Sequence, residues 1–221
     1  MKNRISNPGF LFDLDGLLIN SEELSKVAFE RMCSEIGCEF TDDYHASIRG
    51  KKKTQWSQEF ADSFSPKSSA REIADLHTSL FLREMDTSVH LMKGAEEILG
   101  WVEENRYPRA LVTSSDLNYT MTYLKMLGIQ TFFQQIVTAE DVVNGKPHPE
   151  PYILGATRIQ KEPRACYVFE DSINGVISGK LAGSTVIAVP STESDLKQMG
   201  FADYIVSTLK EGLEVLKAMG L

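Results

Sequence analysis

Acidic residues in two places frame the chemistry open to this chain. Asp13 and Asp15 close a short apolar run, Phe10-Leu11-Phe12, and Glu170 and Asp171 close another, Cys166 to Phe169. Between them in the sequence lie Thr113, Ser114 and Ser115, at the end of a third apolar run, and Lys146 followed by Pro147. If these positions converge, up to four negative charges share one crevice. Two unit charges ~4 Å apart repel by about 4 kcal/mol at an effective dielectric near 20, and several such pairs approach the whole stability of a domain, roughly 5–15 kcal/mol. The cluster demands a cation, a protonated member, or both. Hard oxygen ligands with no cysteine and no histidine beside them suit magnesium rather than zinc. A phosphate ester matches the rest of the set. Lys146 and the cation would neutralise its oxygens, and Thr113 and Ser114 would donate hydrogen bonds. One carboxylate would attack phosphorus, and a carboxyl two residues on would exchange a proton with the departing oxygen and then with water. Period-2 geometry in an extended strand puts Asp13 and Asp15 on one side.

The elements that must position these residues are read from periodicity and punctuation. Gly9 to Leu14 is expected as a buried strand leading into a tight turn at Asp15-Gly16. From Ser21 to about residue 88 the pattern is helix after helix. Leu24, Val27, Ala28, Met32 and Ile36 recur at helical spacing before Gly37, and Ser69-Ala70-Arg71-Glu72 is a capping box. Strands then alternate with helices. Strands are expected at Arg109–Thr113, Ile136–Thr138, Cys166–Phe169, Thr185–Val189 and Tyr204–Val206, with helices between and after them. Alternation of this kind implies an α/β fold with a parallel sheet covered on both faces, and ligands bind beyond the carboxyl ends of such strands. The economical organisation is an α/β core formed by residues 1–20 and 88–221, with a helical cap inserted at 21–87.

Composition narrows the class. The 221 residues carry 42% hydrophobic and 24% charged side chains, enough apolar material for a core without staples. The net charge of -8 is opposite in sign to a duplex-binding surface, so nucleic acid is not expected as a partner. Three cysteines, Cys33, Cys38 and Cys166, show no CxxC spacing, which fits a reducing, cytoplasmic setting. The apolar run before Asp13 is too short for a signal-peptide core, and no stretch approaches membrane-spanning length. A monomer acting on a small phosphorylated metabolite is the expectation.

In order along the chain, Asp13-Leu14-Asp15-Gly16, the Leu111-Val112-Thr113-Ser114 strand end, Gly145-Lys146-Pro147 and Phe169-Glu170-Asp171-Ser172 resemble the four motifs of the haloacid dehalogenase superfamily. The likeness extends over nearly the whole chain and includes Gly175 and the Ala182-Gly183 pair. It implies a Rossmann-like core with an inserted helical cap, and a role for each position. Asp13 would be the nucleophile and a magnesium ligand. Asp15 would be the general acid/base, with its backbone carbonyl on the metal. Thr113, assisted by Ser114, would bind the phosphoryl group, and Lys146 would hold the nucleophile and phosphate charges together. Asp171 would bind magnesium, and Glu170 would join it directly or through water.

The helical insertion resembles the small cap of the β-phosphoglucomutase-like branch. Asp15 to Glu22, Gly50-Lys51-Lys52 and Asn144 to Pro147 are most similar to pseudouridine-5'-phosphatase-like enzymes, and nearly as similar to sugar-phosphate phosphatases. Asn20 departs from the Asp commonest there. The basic run from Arg49 to Lys53 falls where that branch places a substrate-selecting loop, which suggests Arg49 and Lys53 as substrate contacts. The expected function is a magnesium-dependent phosphatase of a nucleoside or sugar phosphate. The alternative is a phosphomutase of the β-phosphoglucomutase kind. Those mutases carry a histidine ten residues after the acid/base, where this chain has Ser25. Dehalogenases of the superfamily lack the second acid and the metal, so Asp15 and Asp171 argue against that chemistry. A binding protein without catalysis would have no reason to hold so many carboxylates together. Ser115 is expected to cap the following helix, with Asp116 a competing cap, and Trp56 and Trp101 are expected in packing.

Overall fold

A computed structural model describes residues 7–48, 53–64, 67–191 and 193–221. The chain divides into two compact units, Met1–Ile19 with His90–Leu221, and Asn20–Val89.

In chain order the elements are β1 (Gly9–Phe12), α1 (Ser21–Ile36), α2 (Asp42–Ile48), α3 (Lys53–Phe64), α4 (Ala70–Ser88), α5 (Ala95–Glu104), β2 (Arg109–Val112), α6 (Leu117–Met126), β3 (Gln135–Val137), α7 (Glu150–Arg158), β4 (Cys166–Glu170), α8 (Ile173–Ala182), β5 (Thr185–Ala188), α9 (Glu193–Gln198), β6 (Tyr204–Ile205) and α10 (Leu209–Ala218). Among the described residues the strands form one parallel sheet in the order β3-β2-β1-β4-β5-β6. This is the Rossmann-like arrangement, in which the winding direction reverses beside the first strand and opens a crevice there.

β1 reads as an unbroken apolar run because it is buried on both faces and both edges. Phe12 pairs with Leu111 of β2 on one side and Phe169 of β4 on the other. Alternate residues meet opposite helical layers. A Cβ on Gly155 of α7 would strike Val112 and one on Gly179 of α8 would strike Val186, whereas one on Gly212 of α10 would strike Phe169. Leu11, Val112, Val168 and Val186 thus face one layer. On the other, Phe12 stacks on Phe169 at 5.2 Å and Phe10 meets Trp101 edge-on at 6.0 Å.

The structure shortens the first strand. It ends at Phe12 rather than Leu14, because the Gly16 amide bonds to Ile19 O, the Leu18 amide bonds to Leu14 O, and Gly16 takes φ +78°. Asp15 therefore opens a turn, bridged to Ile19, and lies outside the sheet strand. Short 3₁₀ turns at Gln130–Phe132, Ala139–Asp141 and Pro163–Ala165 had no signal in the periodicity, since three residues are too few to show one.

The second unit has its own core, with Phe29, Met32, Trp56, Phe60, Ile73 and Leu80 buried together. Trp56 is a packing residue there. α1 stops at Gly37, whose φ of 80° lets its amide reach Cys33 O. The box at the start of α4 forms as the sequence indicates, with the Glu72 amide donating to Ser69 Oγ (3.2 Å) and the Ser69 amide donating to Glu72 Oε2 (2.7 Å). The three cysteines carry no disulfide. No helix among the described residues is long and apolar enough to cross a membrane.

Candidate active site

Three adjacent strands end where the sequence places its polar residues. Asp13 leaves β1 with its amide on Phe169 O, Thr113 leaves β2 with its amide on Val137 O, and Glu170 closes β4. The loop after β3 supplies Lys146. Glu150, at the start of α7, ties that loop back by accepting from the amides of Val143 (2.8 Å) and Asn144 (3.1 Å). A lysine in a loop is by default solvated, but this one, set between Gly145 and Pro147, has a side chain only 5% exposed. Its ammonium donates to Asp13 Oδ1 at 2.5 Å, Glu170 Oε1 at 2.6 Å and Val112 O at 2.9 Å. The Tyr152 ring lies under it, 4.9 Å from centroid to nitrogen.

Glu170 is fully buried and accepts at both oxygens. Oε1 takes Lys146 and the Tyr152 hydroxyl (2.6 Å), and Oε2 takes the Ser172 amide (3.1 Å) and hydroxyl (2.9 Å). Ser172 in turn caps α8 by accepting from the Gly175 amide at 3.0 Å. Gly175 must lack a side chain, because a Cβ there would sit 1.8 Å from the Glu170 carboxyl carbon. Tyr152 was not singled out from the sequence, where it reads as one apolar position of a helix.

Asp13, Glu170 and Asp171 offer oxygens that all lie within 4.8 Å of one another, and all three residues are buried. Three carboxyl groups crowd together beside the Lys146 ammonium in a site of low dielectric. Burial pushes the Asp13 carboxyl well above its ordinary range; Lys146 opposes this, and Glu170 and Asp15 add to it. Burial works against the Lys146 charge too, but Asp13 and Glu170 outweigh it and hold the ammonium protonated. The donor set of crowded carboxyl oxygens fits a hard divalent cation. Each Glu170 oxygen already accepts two hydrogen bonds, so a direct bond from it to a cation would replace one of them.

Asp15 turns its carboxylate to a different set of neighbours. Oδ2 accepts from Ser115 Oγ at 2.6 Å and Thr113 Oγ1 at 3.4 Å, and Oδ1 accepts from the Tyr119 hydroxyl at 2.8 Å. Asp116 is the cap of α6, accepting from the Tyr119 amide at 2.8 Å. The expectation that Ser115 caps this helix is thereby corrected: its hydroxyl is taken by Asp15. Ser114 is exposed beside them. Tyr119 had no signal beyond its place in the first turn of a helix that begins at the strand end. Arg49, with Lys51 and Lys52, lies outside the described residues. Lys53 is exposed and donates to Thr78 Oγ1 at 3.0 Å within its own unit.

A family model described as haloacid dehalogenase-like hydrolase matches residues 10–189. The validoxylamine A 7'-phosphate phosphatase of Streptomyces hygroscopicus subsp. limoneus is 31% identical, with 91% of this chain and 93% of that protein aligned. Hexitol phosphatase A of Escherichia coli is also 31% identical, covering 92% of each. Among solved structures, a Thermotoga maritima protein assigned as a β-phosphoglucomutase superposes with TM-score 0.82 at 29% identity, over 96% of this chain and 99% of that one. The chain belongs to the haloacid dehalogenase-like hydrolases. Within them it is a hydrolase of phosphoric monoesters.

Proposed function

We propose that this enzyme is a magnesium-dependent phosphatase of small sugar or nucleoside phosphates, working through an aspartyl-phosphate at Asp13. The observation that carries the reading is the buried ammonium of Lys146 bridging Asp13 and Glu170 beside Asp171, with Asp15 held apart from that trio by hydroxyls. Asp13 and Asp171, with Glu170 directly or through water and the Asp15 carbonyl, would hold Mg²⁺, which when bound supplies positive charge against the phosphoryl oxygens. Lys146 holds Asp13 in place and adds its own charge on the same side. Thr113 and Ser114 offer hydroxyls to the phosphoryl group.

In the first half-reaction an Asp13 oxygen bonds to phosphorus as the ester P–O bond breaks, and the Asp15 proton passes to the departing oxygen. In the second, a water oxygen bonds to phosphorus, the aspartyl P–O bond breaks, and the water proton returns to Asp15. Phosphoryl transfer asks mainly for charge neutralisation and alignment, which this constellation provides. The substrate class rests on the relatives, whose names specify validoxylamine A 7'-phosphate and hexitol phosphates. The mutase alternative has less behind it, since these curated relatives are phosphatases by name.

The test is phosphate release from a panel of hexose, hexitol and nucleoside monophosphates and para-nitrophenyl phosphate, with Mg²⁺ and with EDTA. Turnover that EDTA abolishes, together with an acid-stable, hydroxylamine-labile phosphoryl group on Asp13, is expected. Undiminished turnover in EDTA, or transfer of phosphate to a second position on the sugar in place of release, would refute the reading.

A further inference from the structure

The two aspartates of the first motif are gripped by chemically different means. Asp13 is held by an ammonium group, Lys146 Nζ at 2.5 Å. Asp15 is held by hydroxyls, Ser115 and Thr113 on one oxygen and Tyr119 on the other. An ammonium only donates, so it favours a charged carboxylate throughout. A hydroxyl donates or accepts as it rotates, so it can keep hold of a carboxyl group with or without its proton. That is what an acid/base group needs and a nucleophile does not.

Resting on the phosphatase reading above, we propose that Tyr119 and Ser115 are positioning residues for Asp15: they fix the orientation of its carboxyl group. The fold sets both hydroxyls in place. The Ser115 amide is anchored on Thr113 Oγ1 at 3.0 Å, directly after β2. Tyr119 stands in the first turn of α6, its amide on Asp116 Oδ1 and its ring against Tyr123 at 4.8 Å. Each acts through Asp15.

Poor orientation of a general acid costs most when the departing oxygen is strongly basic, as an alkoxide is. It costs least when that oxygen is already stable as an anion, as para-nitrophenolate is. A residue that merely supports the fold lowers both activities alike. The experiment measures kcat/KM with Mg²⁺ for the wild type, Tyr119→Phe, Ser115→Ala and Ser115→Thr. The substrates are the alkyl phosphomonoester turned over fastest in the panel above and para-nitrophenyl phosphate. Tyr119→Phe retains the ring against Tyr123 and loses only the hydroxyl. The alkyl-to-aryl ratio is expected to fall about tenfold in Tyr119→Phe and in Ser115→Ala, the order of one hydrogen bond to a charged group. Ser115→Thr is expected to restore it. An unchanged ratio, or equal losses on both substrates, would overturn the proposal and leave the phosphatase reading standing. Wild-type turnover of neither substrate would overturn that reading and the proposal with it.

Discussion

Replacing Gly175 with alanine sets two physical effects against each other. Gly175 lies in the first turn of α8, where glycine to alanine gains at most about 1 kcal/mol from propensity. Packing runs the other way. The new Cβ would lie 1.8 Å from the Glu170 carboxyl carbon and Oε1 and 2.1 Å from Oε2, where ordinary contact is roughly 3.5–4 Å. The carboxylate has to retreat by about 1.5–2 Å to restore that spacing. It is held at 2.6 Å by both Lys146 and Tyr152 and at 2.9 Å by the Ser172 hydroxyl, so a retreat of that size breaks several of these bonds. Breaking a buried ion pair costs about 3–5 kcal/mol. The net expectation is a loss of about 2–4 kcal/mol together with loss of turnover, because Lys146 loses one of its two carboxylate anchors. Gly100 is the control: it lies within α5 with nothing inside 4 Å of its Cβ position, and Gly100→Ala should gain about 0.5–1 kcal/mol. Urea titrations of the three proteins, compared by midpoint at constant slope, give the answer. Gly175→Ala at or above wild-type stability, with Gly100→Ala raised as expected, would show that Glu170 is not clamped as described.

Asp13→Asn should abolish turnover and the trapped phosphoryl group while leaving the metal-free protein at least as stable, because one of several crowded acidic groups is neutralised; residual phosphate release at near wild-type rate would dismiss Asp13 as nucleophile. Lys146→Met leaves Asp13 and Glu170 buried without their cation, a cost of about 3–5 kcal/mol, and added Mg²⁺ should recover part of it in a thermal melt; a melt insensitive to Mg²⁺ would count against the metal reading. His77 sits among Phe29, Trp56 and Phe81; burial, with Lys53 and His45 adding, pulls its pKa from 6.5 to about 4 against a hydrogen bond with Ser25. The unfolded chain then binds the proton first, so this contribution is complete above pH 6.5 and is lost as pH falls toward 4. The loss is on the order of 3 kcal/mol. His77→Phe should flatten that acid limb of the stability curve, and an unchanged limb would refute the assignment.

Much of the architecture was legible because the chain marks its own boundaries. Gly37 and Gly183 end α1 and α8 in left-handed conformation, Ser69 with Glu72 opens α4, and Asp116 opens α6. The site was legible as residue types at strand ends, since a parallel sheet gathers its carboxyl ends on one edge. What the sequence could not convey is which hydroxyl meets which carboxylate. Tyr152 and Tyr119 lie on helices whose rotation about their axes is set by tertiary packing, and a tyrosine on an apolar stripe gives no sign of what its oxygen touches. The stop of β1 at Phe12 was hidden for a related reason. Leu14 is as buried as Phe12, so hydrophobicity continues where the sheet does not.

The place of β1 in the sheet also bears on how the molecule is made. Phe12 is among the first described residues to leave the ribosome, yet its sheet neighbours are Leu111 and Phe169. Until both arrive, an all-apolar segment has at least one flank uncovered, while the intervening helices already carry the residues of a core of their own. Biogenesis therefore has a built-in waiting period for the most water-averse strand. The candidate site assembles at its close, when β2 and β4 come to flank a segment synthesised before either of them.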